Sequence, residues 1–168
     1  NCPDNLRTNE STLDTDTRSL AAEFGHRLII TDRFAVAVNT PLRKRAVALA
    51  DSLGLRMQTH LNEQIGEKRF VEHELYPNYN SYTDVYRRDG LLGHAPILAH
   101  CIRMSPAEFD LVAATDAAIA HCPTSNTLLG SGVMPLNEVV SRGIDWAICT
   151  DVGASPTTSG LQLLPLMV

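Results

Sequence analysis

The chain has 168 residues, a length that suits one domain, and a net charge of −5 from 14 Lys and Arg against 19 Asp and Glu. That balance, with no large basic cluster, argues against a nucleic-acid surface, and no apolar run is long enough to span a membrane as a helix. The hydrophobic fraction of 44% is enough for a packed core. No signal peptide is visible and the chain opens at Asn1, not at a methionine, so a missing upstream segment and a cytoplasmic location are the expectations. The four cysteines, Cys2, Cys101, Cys122 and Cys149, form no Cys-x-x-Cys pair and read as buried reduced thiols rather than a zinc ribbon.

Residues 1–8 read as a loop. From Ser11 a helical period places Leu13, Leu20, Ala21 and Phe24 on one face, and Gly25 can end it. The apolar run Leu28-Ile29-Ile30 leads to Thr31-Asp32-Arg33-Phe34. A helix restarts with Thr40 as N-cap and Pro41 in the first turn; its apolar face is Leu42, Ala46, Leu49, Ala50 and Leu53, and Gly54 stops it. Arg43-Lys44-Arg45 reads as the solvated face of this helix. The next run, Leu55 to Thr59, closes on His60, with Glu63 three residues on.

Residues 64–94 form a longer insertion. Glu67 to Leu75 has helical character, Pro77, Asn78 and Asn80 break it, and Tyr82 to Leu92 makes another short helix. Ala95 to Ala99 then ends on His100, with Pro96 tolerated near a strand start. Ser105 and Glu108 make a capping box around Pro106. Ala117 to Ala120 ends on His121. Residues 122–133, rich in Ser, Thr, Asn and Gly, read as a loop. Leu136, Val139 and Val140 mark a helix closed by Gly143, and Trp146 to Thr150 ends on Asp151. Residues 152–160 are loop-like, and Leu161 to Val168 begins one more helix.

Apolar strand, polar residue, loop and amphipathic helix thus recur. The strands are mostly continuous in apolar character, as when both faces are covered, which predicts a parallel α/β sheet. Five strands close on Arg33, His60, His100, His121 and Asp151. In a (β/α)₈ barrel the active site sits at the C-terminal strand ends. Five strands make somewhat more than half of such a barrel, so residues 1–168 are expected to form a partial barrel domain lacking its first strands.

His60, His100 and Asp151 are ligand types suited to zinc or iron, and a bound metal would lower the pKa of its water. Glu63 could carry a proton, and Asp151 could both bind metal and accept the water's proton. Singly, each is better explained as a hydrogen-bonded polar group at a strand end; only their joint placement favours a site. His121 reads equally as a substrate contact or a structural histidine. Arg33 could grip a carbonyl or ring edge through paired donors, or form a salt bridge at the barrel rim. His26, His73 and His94 fall outside strand ends and read as structural or solvated. Tyr79, Tyr82 and Tyr86 read chiefly as packing, with walling a flat substrate as the alternative. No phosphate-binding glycine loop and no Cys-based deaminase signature is present.

At Thr31-Asp32-Arg33-Phe34, Thr59-His60-Leu61-Asn62-Glu63, Leu98-Ala99-His100, Ala120-His121-Cys122-Pro123-Thr124-Ser125-Asn126 and Thr150-Asp151 the sequence resembles the amidohydrolase superfamily, and within it the guanine deaminase and chlorohydrolase group. Tyr82-Thr83-Asp84-Val85-Tyr86 and Gly90-Leu91-Leu92 resemble guanine deaminases in particular. The resemblance implies the C-terminal part of a distorted (β/α)₈ barrel, with parallel strands alternating with helices. It implies one Zn²⁺ or Fe²⁺ held by His60, His100 and Asp151, Glu63 as proton shuttle, and Arg33 and Phe34 against the purine. Guanine would go to xanthine and ammonia. The alternatives are a sibling hydrolase of another amino- or chloro-substituted ring, and a catalytically dead relative acting as a binding protein. Two departures stand: the family's first-strand His-x-His pair is absent, and Val152-Gly153-Ala154-Ser155-Pro156 differs from the guanine deaminase pattern. Residues 1–168 alone are therefore expected to show poor activity and to associate through an open sheet edge. The implied partner is a small purine, with no nucleic acid and no membrane; a homodimer is compatible by resemblance alone.

Overall fold

The protein is seen in a computed structural model that describes residue 7 and residues 9–167. Cys2 lies outside the described residues, as do most of those expected to form the N-terminal loop.

Five parallel strands lie in one sheet in the order of the chain: β1 (Ile29–Thr31), β2 (Arg56–Leu61), β3 (Ile97–His100), β4 (Ala118–His121) and β5 (Asp145–Ile148). Thr59 pairs with Leu98, Ala99 with Ala120, and Ala120 with Ala147, so the polar residues at the strand ends come level at one rim. The helices are α1 (Leu13–Phe24), α2 (Thr40–Leu53), α3 (Ile65–Phe70), α4 (Tyr82–Arg88), α5 (Pro106–Ala113), α6 (Pro123–Leu128) and α7 (Leu136–Ser141). The insertion between β2 and β3 carries α3, a π turn at Val71–Leu75, α4 and a 3₁₀ turn at Leu91–His94. This is the strand–helix alternation of a (β/α)₈ barrel, and no described helix is long and apolar enough to cross a membrane.

Met57, Leu61, Leu98 and Ile119 of the strands pack with Phe109, Val112 and Val139 of the helices and with Tyr82, Val85 and Tyr86 of the insertion. The strand faces are not equally covered. In β2 Met57, Thr59 and Leu61 are buried, while Arg56, Gln58 and His60 are not. The expectation of two covered faces therefore fails for β2. Its buried residues alternate with Arg56, Gln58 and His60 on the other face of the strand, of which His60 lies at the rim.

Local signals set most boundaries. Gly54, in the left-handed conformation, ends α2 by donating its N–H to Ala50 O and Asp51 O. Ser105 and Glu108 form the capping box that opens α5, with Pro106 in the first turn. The N-cap of α2 is Asn39 rather than Thr40, because the Asn39 side chain accepts from the Leu42 N–H at 2.9 Å. Residues 123–128, expected as loop, are helical: Pro123 supplies the first-turn geometry, and the Ser125 and Asn126 side chains bond outward rather than back to their own turn. The expected face of α1 is not buried, since Leu20 and Phe24 are exposed and Thr17 is the residue covered. The last expected helix is a 3₁₀ helix over Gly160–Met167.

The basic triplet of α2 is the clearest correction. Lys44 is exposed and Arg45 pairs with Asp14 of α1, but Arg43 is fully buried. Its Nε donates to Asp32 at 2.5 Å, its Nη1 to Asp89 at 2.7 Å and its Nη2 to the Val38 carbonyl at 2.7 Å. A buried cation persists where anions and acceptors occupy its donors, and here two carboxylates and a carbonyl do so. Arg43 thereby ties α2, the turn after β1 and the end of α4 together.

Cys101 and Cys122 are buried, Cys149 is half-buried, and all three are free thiols. Burial raises the Cys101 pKa and pushes the Cys122 thiol up to about 12, which keeps both protonated and unreactive at neutral pH. Tyr82 and Tyr86 are core residues. Their hydroxyls donate to Glu67 and to the His60 carbonyl, respectively. Tyr79 sits under the Arg88 guanidinium, 4.8 Å from its ring centroid. None of the three tyrosines lines the cleft described next. His26 and His73 are exposed, and His94 Nε2 lies 3.4 Å from Asp51.

Candidate active site

At the rim formed by the strand ends lies a cleft of about 200 Å³, lined by Arg33, Phe34, His60, Glu63, His100, Leu129, Asp151 and Ala154. Six of these are residues singled out in the sequence, and they arrive from four different strand ends. His121, the seventh, is not among the lining residues.

The two lining histidines are neighbours. Their rings stack with centroids 5.3 Å apart and planes inclined at 27°. Each is oriented by a bond at Nδ1: His60 to the Arg33 carbonyl at 2.6 Å, His100 to the Asn126 side-chain oxygen at 2.8 Å. Both partners are acceptors, so each Nδ1 carries the proton and each Nε2 keeps its lone pair. That is the tautomer a metal-binding imidazole needs. The Arg33 carbonyl also accepts the His60 backbone N–H at 3.0 Å, which fixes the ring and the main chain to the same atom.

Glu63 and Asp151 bring carboxylates. Glu63 Oε1 accepts from Ser131 Oγ at 2.7 Å, and Glu63 Oε2 lies 3.6 Å from His100 Nε2, beyond hydrogen-bond length. Asp151 accepts a short bond from Ser125 Oγ. His100, Cys101, Asn62 and Asp151 all have positive φ, between 51° and 72°. Such angles are uncommon outside glycine and gather at functional sites, where they turn side chains off the strand line. Asn62 is held by a buried network: its Nδ2 donates to Glu108 at 2.9 Å, and Lys68 Nζ reaches both Asn62 Oδ1 and Glu108.

Arg33 is exposed and lies 5.2 Å from the Phe34 ring centroid, so its guanidinium stacks on an aromatic face with its donors still available. His121 is buried, packs edge-on to Trp146 at 6.4 Å and has no hydrogen-bond partner at Nδ1. Burial, and then the nearby His100, lower its pKa and favour the neutral ring.

The arrangement offers two imidazole lone pairs, two carboxylates and one guanidinium at a single opening. Among the described residues, no three His, Cys, Asp or Glu side chains lie close enough together to hold a metal ion by themselves. The donor chemistry does suit a divalent cation, since both imidazoles are presented in the ligating tautomer. Ser125, Asn126 and Ser131 had no role in the sequence analysis although two of them fall within a motif quoted there; their partners lie 26 to 68 residues away.

Comparison with known proteins shows what the chain is similar to. The chain is 39% identical over 136 residues to a probable guanine deaminase of Schizosaccharomyces pombe, covering 81% of this chain and 26% of that protein. It is 36% identical over 136 residues to the guanine deaminase of Escherichia coli, covering 80% of this chain and 31% of that protein. The crystal structure of guanine deaminase from C. acetobutylicum with bound guanine in the active site superposes with a TM-score of 0.86 at 34% identity, over 94% of this chain and 39% of that chain. The chain thus spans between a quarter and a third of the length of these two curated relatives. The family model described as the amidohydrolase family matches residues 2–168, and the chain belongs to that family.

Proposed function

We propose that this chain carries part of the active site of a metal-dependent deaminase that converts guanine to xanthine and ammonia. The observation that carries the reading is the convergence of Arg33, His60, Glu63, His100 and Asp151 on one cleft, in a chain 32–39% identical to several guanine deaminases. We infer that His60, His100 and Asp151 would hold a zinc or iron ion, with further ligands from the rest of the natural polypeptide. When bound, such an ion supplies Lewis-acid activation of water.

The residues of this chain do the rest. Arg33 donates paired hydrogen bonds to the purine carbonyl edge and Phe34 flanks the ring, which orients the carbon bearing the amine toward Glu63. Glu63 gives its proton to the adjacent ring nitrogen while Asp151 accepts the proton that water loses on attack; Glu63 then takes the proton of the newly formed hydroxyl and passes it to the departing amine, and the proton held by Asp151 restores Glu63. The Arg33 carbonyl and the Asn126 oxygen keep His60 and His100 in one tautomer throughout.

The test is ammonia release from guanine by the complete natural polypeptide loaded with zinc or iron, with adenine and a chlorotriazine as comparison substrates. Release from guanine alone is expected. Metal binding without release from guanine would overturn the substrate and favour a sibling hydrolase; no metal binding at all would overturn the site.

A further inference from the structure

We propose that the stretch Ser125–Ser131 is a single orienting bracket for three of the four metal- and proton-handling side chains, with Ser125, Asn126 and Ser131 as positioning residues. The inference rests on the reading given under Proposed function and deepens it. Ser125 Oγ donates to Asp151, Asn126 Oδ1 accepts from His100 Nδ1 at 2.8 Å, and Ser131 Oγ donates to Glu63 at 2.7 Å. All three are buried to within 1% of full coverage, so water reaches these bonds from the carboxylate side alone.

The three bonds are mechanically one unit. Asn126 O accepts the Ser131 N–H at 2.9 Å, which closes the segment on itself, while Asn126 N–H donates to Cys122 O and anchors it to the end of β4. The direction of the Ser131 bond is fixed by a second donor. Gln64 Nε2 donates to Ser131 Oγ at 2.5 Å, which leaves the Ser131 hydroxyl proton for the Glu63 carboxylate. Arg103 Nη2 holds the Ser131 carbonyl at 2.5 Å from the other side. Glu63, His100 and Asp151 come from three separate strand–helix units, two of them at positive φ, and would otherwise move independently. One short segment sets their mutual spacing.

The test uses the complete natural polypeptide. Zinc affinity is measured by competition with a chromophoric chelator, kcat and KM with guanine, and the thermal midpoint alongside. Asn126→Ala and Ser125→Ala are expected to weaken zinc binding roughly tenfold to a hundredfold. Asn126→Asp and Ser125→Thr, which keep the acceptor and the hydroxyl, are expected to return it to within a few-fold of wild type. Ser131→Ala is expected to lower kcat about tenfold or more with zinc affinity and KM unchanged. Asn126→Leu, close in volume and apolar, substitutes if Asn126→Ala does not fold. Unchanged zinc affinity in the apolar variants would overturn the bracket while leaving the proposed function intact. So would a loss that merely follows the thermal midpoint and is not rescued by Asn126→Asp. A wild-type polypeptide that binds no zinc or iron would overturn the proposed function itself.

Discussion

His60 and Arg33 are joined through the main chain: the Arg33 carbonyl accepts both the ring Nδ1 of His60 at 2.6 Å and its backbone N–H at 3.0 Å. The proposed purine-gripping residue therefore orients the proposed ligand with an atom that mutation leaves in place. Arg33→Ala should cut kcat/KM for guanine by roughly tenfold to a hundredfold, the loss of charged hydrogen bonds, with zinc affinity unchanged. Steady-state kinetics beside a chelator competition would check this, and a parallel loss of zinc would refute the separation.

Glu63→Gln keeps an acceptor for Ser131 Oγ but cannot shuttle a proton. We expect kcat to fall by about 10² to 10⁴ with metal content retained, measured by ammonia release and metal analysis of the same preparation.

Arg43→Met should destabilise the fold by about 3–5 kcal/mol, because Asp32 and Asp89 are left buried without their cation. Adding Asp32→Asn to that variant should recover part of the loss. Urea denaturation of the three proteins decides it; an Arg43→Met midpoint equal to wild type would contradict the buried-cation account.

Glu108 supplies a pH dependence. Burial alone would raise its pKa, but Lys68, the Ser105 N–H and Asn62 outweigh burial and lower it below the usual 4.5. A carboxyl with a lowered folded pKa stabilises the fold fully above its unfolded value and loses that contribution as pH falls through the folded value. The stability gap between wild type and Glu108→Gln should be widest near neutrality and shrink below about pH 4.5, read from urea curves across that range. A gap that widens in acid would reverse the sign.

Gly132 has φ of +124°, and a Cβ there would sit 2.7 Å from Arg103 Nη2, the group that holds the Ser131 carbonyl. Gly132→Ala should cost about 1–3 kcal/mol in backbone strain and displaced contact, seen as a lower thermal midpoint.

The sheet was legible because apolar runs ending on Arg33, His60, His100, His121 and Asp151 repeat with helix stops at Gly54 and Gly143 between them. What escaped has a common cause, which is partners remote in sequence. Arg43 looked solvated beside Lys44 and Arg45 because its acids lie 11 and 46 positions away. The helix at Pro123–Leu128 was hidden by Ser, Thr and Asn, residues that usually favour turns, although here Ser125 and Asn126 bond to Asp151 and His100, far along the chain. His121 closes a strand as foreseen, yet its ring packs on Trp146 instead of lining the cleft. A strand end fixes the position of a side chain along the rim and leaves its rotamer to the neighbours.

The strand order repeats the chain order, so each strand pairs with the one made just before it. Among the five described strands, none must wait for a distant partner or be threaded between two of the others. A ribosome releasing this chain can thus add strands to a growing edge one at a time, and slow rearrangement of early pairings is unnecessary. The same order delays chemistry. His60 is placed when β2 docks, His100 with β3, and Asp151 only after β5, so among the described strands the last to pair is needed before these three groups stand together.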